Sequence, residues 1–221
     1  MIPLLIRKKN IFIKTVVKNL IPRRYLLYKG KIQNGSITLT FDDGPHPLYT
    51  PMVLKVLKKS NVKATFFLTG NQVEKYPQLV REIVNDGHEI GNHNYSHRHI
   101  KKMSYKELSG EIQQTNKIIQ NITGTSPKFY RPPYGELNMS LFWFAFFRKM
   151  TVVLWSVDSN DSYDKSLAKI RERLKIIKPG DIILLHTDYP HTVEALPYII
   201  EHTRQRNLNL VSVSELMRRE E

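Results

Sequence analysis

Short apolar or alternating runs recur along the chain and are rich in β-branched and aromatic residues. They fall at residues 36–41 (SITLTF), 64–68, 89–92, 128–130, 152–155, 181–185 and 208–213, and each reads as a strand. Between them the apolar positions shift to helical spacing. Helices are expected at 51–60, with Pro51 in the first turn, and at 78–86, stopping at Gly87. A longer one starts from a Ser104-x-x-Glu107 capping box and runs to about Asn121. Others are expected near 165–177 and 193–204. Residues 139–149 are apolar almost all round, which predicts a helix buried on several sides.

Regular strand–helix alternation means parallel strands joined by right-handed crossovers. No glycine-rich phosphate loop interrupts it, so the pattern favours an α/β barrel of about seven parallel strands over an open nucleotide-binding sheet. No repeat or low-complexity stretch is visible. The chain divides into a basic N-terminal arm, 1–35, and one domain, 36–221.

With 221 residues, 41% hydrophobic and 24% charged, the chain is long enough to bury a core. It has no cysteine, which excludes disulfides, thiolate metal sites and a cysteine nucleophile. Any metal must be held by His and carboxylate. The formal charge of +14 is uneven. Arg7, Lys8, Lys9, Lys14, Lys18, Arg23, Arg24, Lys29 and Lys31 precede the first acid, Asp42, and removing them leaves 25 basic against 20 acidic residues. Within residues 10–21, Ile13, Val16, Val17 and Leu20 share a helical face opposite Lys14 and Lys18. This short amphipathic helix is expected to pack on the barrel's closed end; contact with an anionic membrane surface is the alternative. The opening apolar run, residues 1–6, is short for a signal peptide and contains Pro3, so a cytoplasmic setting is expected, possible contact with the inner membrane face included. Nucleic acid is not an expected partner, since the arm lacks interleaved aromatics beyond Tyr25 and Tyr28.

Polar clusters follow the apolar runs, where a parallel barrel collects its chemistry. Asp42-Asp43-Gly44-Pro45 follows the first strand and His93-x-x-x-His97 the third. Arg131-Pro132-Pro133-Tyr134-Gly135 follows the fourth, Asp158 and Asp161 the fifth, and His186 the sixth. Adjacent carboxylates at a strand end point in different directions, so one can bind a metal while the other acts as a base. His93 and His97 can converge on one ion if that stretch turns helical, and His186 is a candidate acid. Each piece alone has an ordinary structural reading; their joint placement at successive strand ends does not.

The stretches TFDDGP (40–45), HNYSH (93–97), RPPYG (131–135), DSND (158–161) and LLH (184–186) resemble, in order and spacing, the motifs of the NodB-homology polysaccharide deacetylases, carbohydrate esterase family 4. The resemblance covers residues 36–216. It implies a distorted (β/α) barrel and a metal-dependent hydrolase that removes N-acetyl groups from the amino sugars of a glycan: chito-oligosaccharide, peptidoglycan-type or lipid-linked. Asp43, His93 and His97 would hold one divalent metal, with Zn²⁺ expected and Co²⁺, Mn²⁺ or Ni²⁺ compatible. Asp42 would be the general base, oriented by Arg131. The N–H of Tyr134 would face the oxyanion, and Tyr134, Pro133 and Leu184 would contact substrate. His186 would protonate the leaving amine, backed by Asp158.

Two positions depart from the family pattern. Ser162 stands where motif four ends in Trp, and Thr187 follows His186, with the acid displaced to Asp188. The acyl pocket is therefore altered, which admits an O-acetyl esterase or sugar deformylase as alternatives. A non-catalytic glycan-binding protein is a third alternative, opposed by the complete set of catalytic residue types.

Overall fold

The computed structural model describes residues 21–31 and 35–218. Its strands are β1 Leu26–Leu27, β2 Ser36–Asp42, β3 Thr65–Leu68, β4 Glu89–Asn92, β5 Phe129–Tyr130, β6 Thr151–Val153, β7 Val157–Asp158, β8 Ile182–His186 and β9 Asn209–Leu210. The helices are α1 Tyr49–Lys59, α2 Gly70–Lys75, α3 Pro77–Asn85, α4 Tyr105–Thr123, α5 Met139–Arg148, α6 Leu167–Leu174, α7 Pro190–Gln205 and α8 Val213–Arg218. All strand pairs are parallel, in the order β1-β6-β5-β4-β3-β2-β8-β7, with β9 on the start of β2.

Side-chain alternation assigns the two faces of this sheet. Ile37, Leu39 and Phe41 of β2 join Phe66, Leu68, Ile183 and Leu185 beneath the helices. The opposite parity points inward: Leu27, Phe67, Phe129, Val153 and Ile182, from five different strands, meet in a single cluster. Strands that far apart in the sheet share a core only because the sheet curls. The result is a parallel half-barrel, open between β1 and β7. Gly91 permits one close inner contact, since a Cβ there would lie 2.4 Å from the Phe67 ring.

Several sequence expectations need correction. β1 belongs to the sheet: Leu26 and Leu27 are buried and pair with Val152 and Val153. The folded domain thus begins within the expected arm, before residue 36. The rest of the arm's amphipathic helix, 10–20, lies outside the described residues. Strand 208–213 shrinks to β9 because Ser212 and Glu215 cap α8 reciprocally, the Ser212 N–H donating to Glu215 and the Glu215 N–H to the Ser212 Oγ. The Ser104–Glu107 capping box is present at α4, which ends on left-handed Gly124 (φ 76°). Helix α5 is buried on one face only, through Leu141, Phe144 and Ala145; Met139, Trp143, Phe146 and Phe147 are exposed. Among the described residues, no helix is long and apolar enough to cross a membrane.

Candidate active site

The inward-facing residues change from apolar to polar toward the C-terminal ends of the strands. Thr40, Asp42, His93, Arg131, Leu184 and His186 collect there, and β2 and β8 place Asp42 beside His186 in register. Central position fixes β2 firmly, because β3, β8 and β9 all pair with it.

Arg131 organises this end of the barrel. It is fully buried and donates from Nη1 to Asp42 Oδ1 and to Thr40 Oγ1, each at 2.7 Å. Its Nε and Nη2 donate to the carbonyls of Val153 and Leu154 at 3.2 and 3.1 Å. The guanidinium lies 4.1 Å from the Phe67 ring centre and 5.7 Å from that of Trp155. A buried charge survives only when paired and hydrogen-bonded, and Arg131 meets both conditions.

Asp43 follows β2 in a left-handed conformation (φ 71°), which turns its carboxylate away from that of Asp42. Asp43 Oδ1 lies 3.1 Å from His97 Nε2 and 3.4 Å from His93 Nε2. His93 Nδ1 donates to the Arg131 carbonyl at 2.7 Å, which leaves Nε2 as a lone pair toward the aspartates. Asp43 Oδ1 is buried without a hydrogen-bond partner. Ligand atoms of Asp43, His93 and His97 all lie within 4.8 Å of one another. An orphaned carboxylate oxygen facing the Nε2 atoms of two imidazoles fits a divalent cation. The local field has the matching sign: burial opposes charge on His93, yet Asp42 and Asp43 hold its pKa up. Against its own burial, Asp43 is held well below the ordinary carboxylate range by His93 and His97.

The two histidines converge through a loop, not through the helical turn that their spacing suggested. Asn94 (φ 68°) and His97 (φ 55°) are left-handed. Glu111 of α4 pins the bend, accepting the N–H groups of Tyr95 and Ser96 and the Ser96 hydroxyl at 2.5–3.1 Å. Nothing in the local sequence around 93–97 identifies this anchor, because it sits a helix away.

His186 is the second correction. Its Nδ1 lies 2.6 Å from Asp161 Oδ1, and its backbone N–H donates to Asp161 Oδ2 at 2.9 Å. Asp158, the expected partner, is exposed and accepts the Asn160 N–H at 2.8 Å instead. Left-handed Asn160 (φ 60°) folds the chain back so that Asp161, not Asp158, reaches β8. Thr192 also donates to Asp161 Oδ2, at 2.6 Å. Burial works against a proton on His186, but Asp161, with Asp42 and Asp43 beyond, raises its pKa to about 9. Asp188 Oδ1 is buried without a partner, and burial followed by the Asp43 charge pushes this carboxyl up to about 6.

At the rim, Tyr134 adopts φ 58° in a short turn, a strained backbone for a non-glycine residue and one that recurs at functional sites. Its exposed ring stacks on His99 at 4.0 Å and tilts against His97 at 4.8 Å. Pro133 and Leu184 are buried. Trp155 packs against this turn, near Gly135, where a Cβ would come within 2.7 Å of its ring.

A parallel half-barrel that gathers these groups at its strand ends has the layout of a hydrolase for a polar substrate. Residues 29–151 match the family model described as polysaccharide deacetylase. The chain belongs to that family, the NodB-homology enzymes of carbohydrate esterase family 4. It is 39% identical over 194 residues to a peptidoglycan-N-acetylglucosamine deacetylase of Bacillus cereus, spanning 86% of this chain and 70% of the relative. It is also 39% identical to the peptidoglycan-N-acetylmuramic acid deacetylase PdaC of Bacillus subtilis, over 81% of this chain and 38% of that one. The solved Bc1960 peptidoglycan N-acetylglucosamine deacetylase, in complex with a naphthalenyl N-oxidanyl-benzamide, superposes with a TM-score of 0.84 at 37% identity. That match covers 86% of this chain and 92% of the other.

Proposed function

We propose that this enzyme hydrolyses the N-acetyl group of N-acetylglucosamine residues in a peptidoglycan-type glycan, using Asp42 as base and His186 as acid. One observation carries the reading: neighbouring carboxylates have separate partners, Asp42 on Arg131 and Asp43 facing His93 and His97, with aspartate-backed His186 beside them in register.

Asp43, His93 and His97 would hold the cation, and a His₂Asp donor set suits Zn²⁺ best while accepting Co²⁺, Mn²⁺ or Ni²⁺. When bound, it supplies Lewis acidity to the acetyl carbonyl and acidity to the attacking water. Asp42, kept oriented by Arg131, takes a proton from that water as its oxygen bonds to the carbonyl carbon. The N–H of Tyr134 donates to the oxygen on which negative charge develops. His186, protonated and held by Asp161, gives its proton to the nitrogen as the C–N bond breaks, releasing acetate and a free amine. Leu184, on the same inner face as His186, borders the acetyl methyl, while Pro133 and Tyr134 border the sugar.

The glucosamine- and muramic-acid-directed relatives are equal in identity, and the proposal takes N-acetylglucosamine because relatives from both Bacillus cereus and Listeria monocytogenes carry that sugar in their names. A polymer substrate places the enzyme where peptidoglycan is; the cytoplasmic setting expected from the sequence instead suits a lipid-linked precursor, reached by arm contact with anionic lipid. Acetate release from metal-reconstituted protein tests the proposal on peptidoglycan, chito-oligosaccharide and lipid-linked precursor. Release abolished in Asp42→Asn and His93→Ala supports it. Formate release from N-formyl sugars in preference to acetate would move the assignment to a deformylase with Ser162 in its acyl pocket.

A further inference from the structure

Helix α5 buries Leu141, Phe144 and Ala145 and turns four large apolar side chains outward: Met139, Trp143, Phe146 and Phe147 are 66, 53, 51 and 68% exposed. The three aromatic side chains and Tyr25 form one connected surface. Trp143 stacks on Phe147 at 5.9 Å, Phe147 meets Phe146 edge-on at 5.5 Å, and Phe146 meets Tyr25 at 5.4 Å. Arg24 lies over Tyr25, its guanidinium 4.6 Å from the ring centre. At about 150–250 Å² for each whole aromatic side chain, such exposure amounts to a few hundred Å², the scale at which apolar patches mark interaction sites.

The chemistry of the border selects the partner. Arg148 and Lys149 close the helix, Arg23 and Arg24 precede Tyr25, and neither residues 137–150 nor residues 21–31 contain an acid. The preceding residues 1–20 add Arg7, Lys8, Lys9, Lys14 and Lys18, again with no acid. They join the fold at Ile21, which packs in the same cluster as Phe142. Two copies meeting through this face would bring like charges together. Trp, Phe and Met surrounded by Arg and Lys instead match the interface of an anionic bilayer, where apolar insertion and headgroup attraction add.

We propose that the outer face of α5, with the basic residues beside it, docks the enzyme on anionic lipid. This proposal does not depend on the assigned substrate.

The test is co-sedimentation of the full-length protein with phosphatidylcholine vesicles containing or lacking phosphatidylglycerol, at low and high salt. Wild type is compared with Trp143→Ser/Phe147→Ser, and the fold is checked by thermal melting and by acetate release from a soluble oligosaccharide. Expected is phosphatidylglycerol-dependent, salt-sensitive binding that falls about tenfold or more in the double variant while melting and soluble activity hold. Absence of binding by wild type would overturn the proposal, and so would equal binding by the variant, which would leave the arm's charges as the whole attraction. A wild-type dimer dissociated by the substitutions would overturn it in favour of a contact between copies. Loss of acetate release in both proteins, with vesicle binding intact, would count against the substrate assignment alone.

Discussion

Asp161 grips His186 at two points, one carboxylate oxygen 2.6 Å from the ring Nδ1 and the other accepting the backbone N–H. The ring is thereby fixed with Nε2 turned toward the site, and its proton is stabilised. Asp161→Asn keeps the shape and removes the charge. We expect kcat to fall about a hundredfold or more, while Asp158→Asn changes it by no more than a few-fold. Steady-state kinetics on both variants decide between the two aspartates.

His186 is raised to about 9 and acts in its protonated form, so activity should be present below that value and disappear as pH rises through it. A cation at Asp43 weakens the part of the shift due to Asp42 and Asp43, placing the limb at or below pH 9. Asp161→Asn should move the limb further down. A pH profile of kcat with unchanged alkaline limb in that variant would exclude His186 as the acid.

Arg131 and Asp42 form a buried pair with almost no access to water. Arg131→Met strands the Asp42 carboxylate, and we expect about 3–5 kcal/mol of destabilisation by chemical denaturation. Asp42→Asn keeps an acceptor for the guanidinium. It should abolish turnover at a smaller cost in stability.

Metal binding should depend on the loop as well as on the ligands. Asp43→Ala should abolish tight Zn²⁺ binding, measured by calorimetry. Glu111→Ala should weaken it about 10–100-fold without touching a ligand. Zn²⁺ in hundredfold excess over its Kd should raise wild-type stability by about 2.7 kcal/mol.

His88 lines a cleft at the other end of the strands, its Nδ1 accepting the Ala64 N–H at 3.3 Å and its Nε2 buried without a partner. Burial, then the Lys63 charge, lower its pKa to about 4. Between about 4 and 6.5 the unfolded chain takes up a proton that the folded protein refuses, so stability falls as pH drops through this window. The loss should be about 1–2 kcal/mol after screening by solvent, flattened in His88→Gln. Urea titrations across that range measure it.

The sequence made legible what depends on local period. β4 falls on residues 89–92 as expected, and the α4 capping box is present residue for residue. Elements supported mainly by neighbours were not legible: β1 and β7 have two residues each, too few for a period, and exist because β6 and β8 pair with them. At the site, Asp42, Asp43, His93, Arg131 and His186 follow from position at strand ends. Asp161 was placed with Asp158 after the fifth strand, but its pairing with His186 was not legible, because a left-handed turn at Asn160 decides it; Glu111 was not singled out, because a distant helix brings it in. The Asn-Asp pair after a strand was the available hint for the first; no comparable hint exists for the second.

Asp42 ends the most heavily paired strand and Asp43 follows it by one peptide, and this makes the site's centre indivisible. A slip of β2 by a single residue would present Phe41 where Asp42 stands and draw Asp43 off the histidines in the same motion. Deletions or insertions in this strand therefore cannot yield a half-working enzyme. The loops after β5, β7 and β8 border the site without belonging to this strand, so a change of length or composition there leaves the paired aspartates in place.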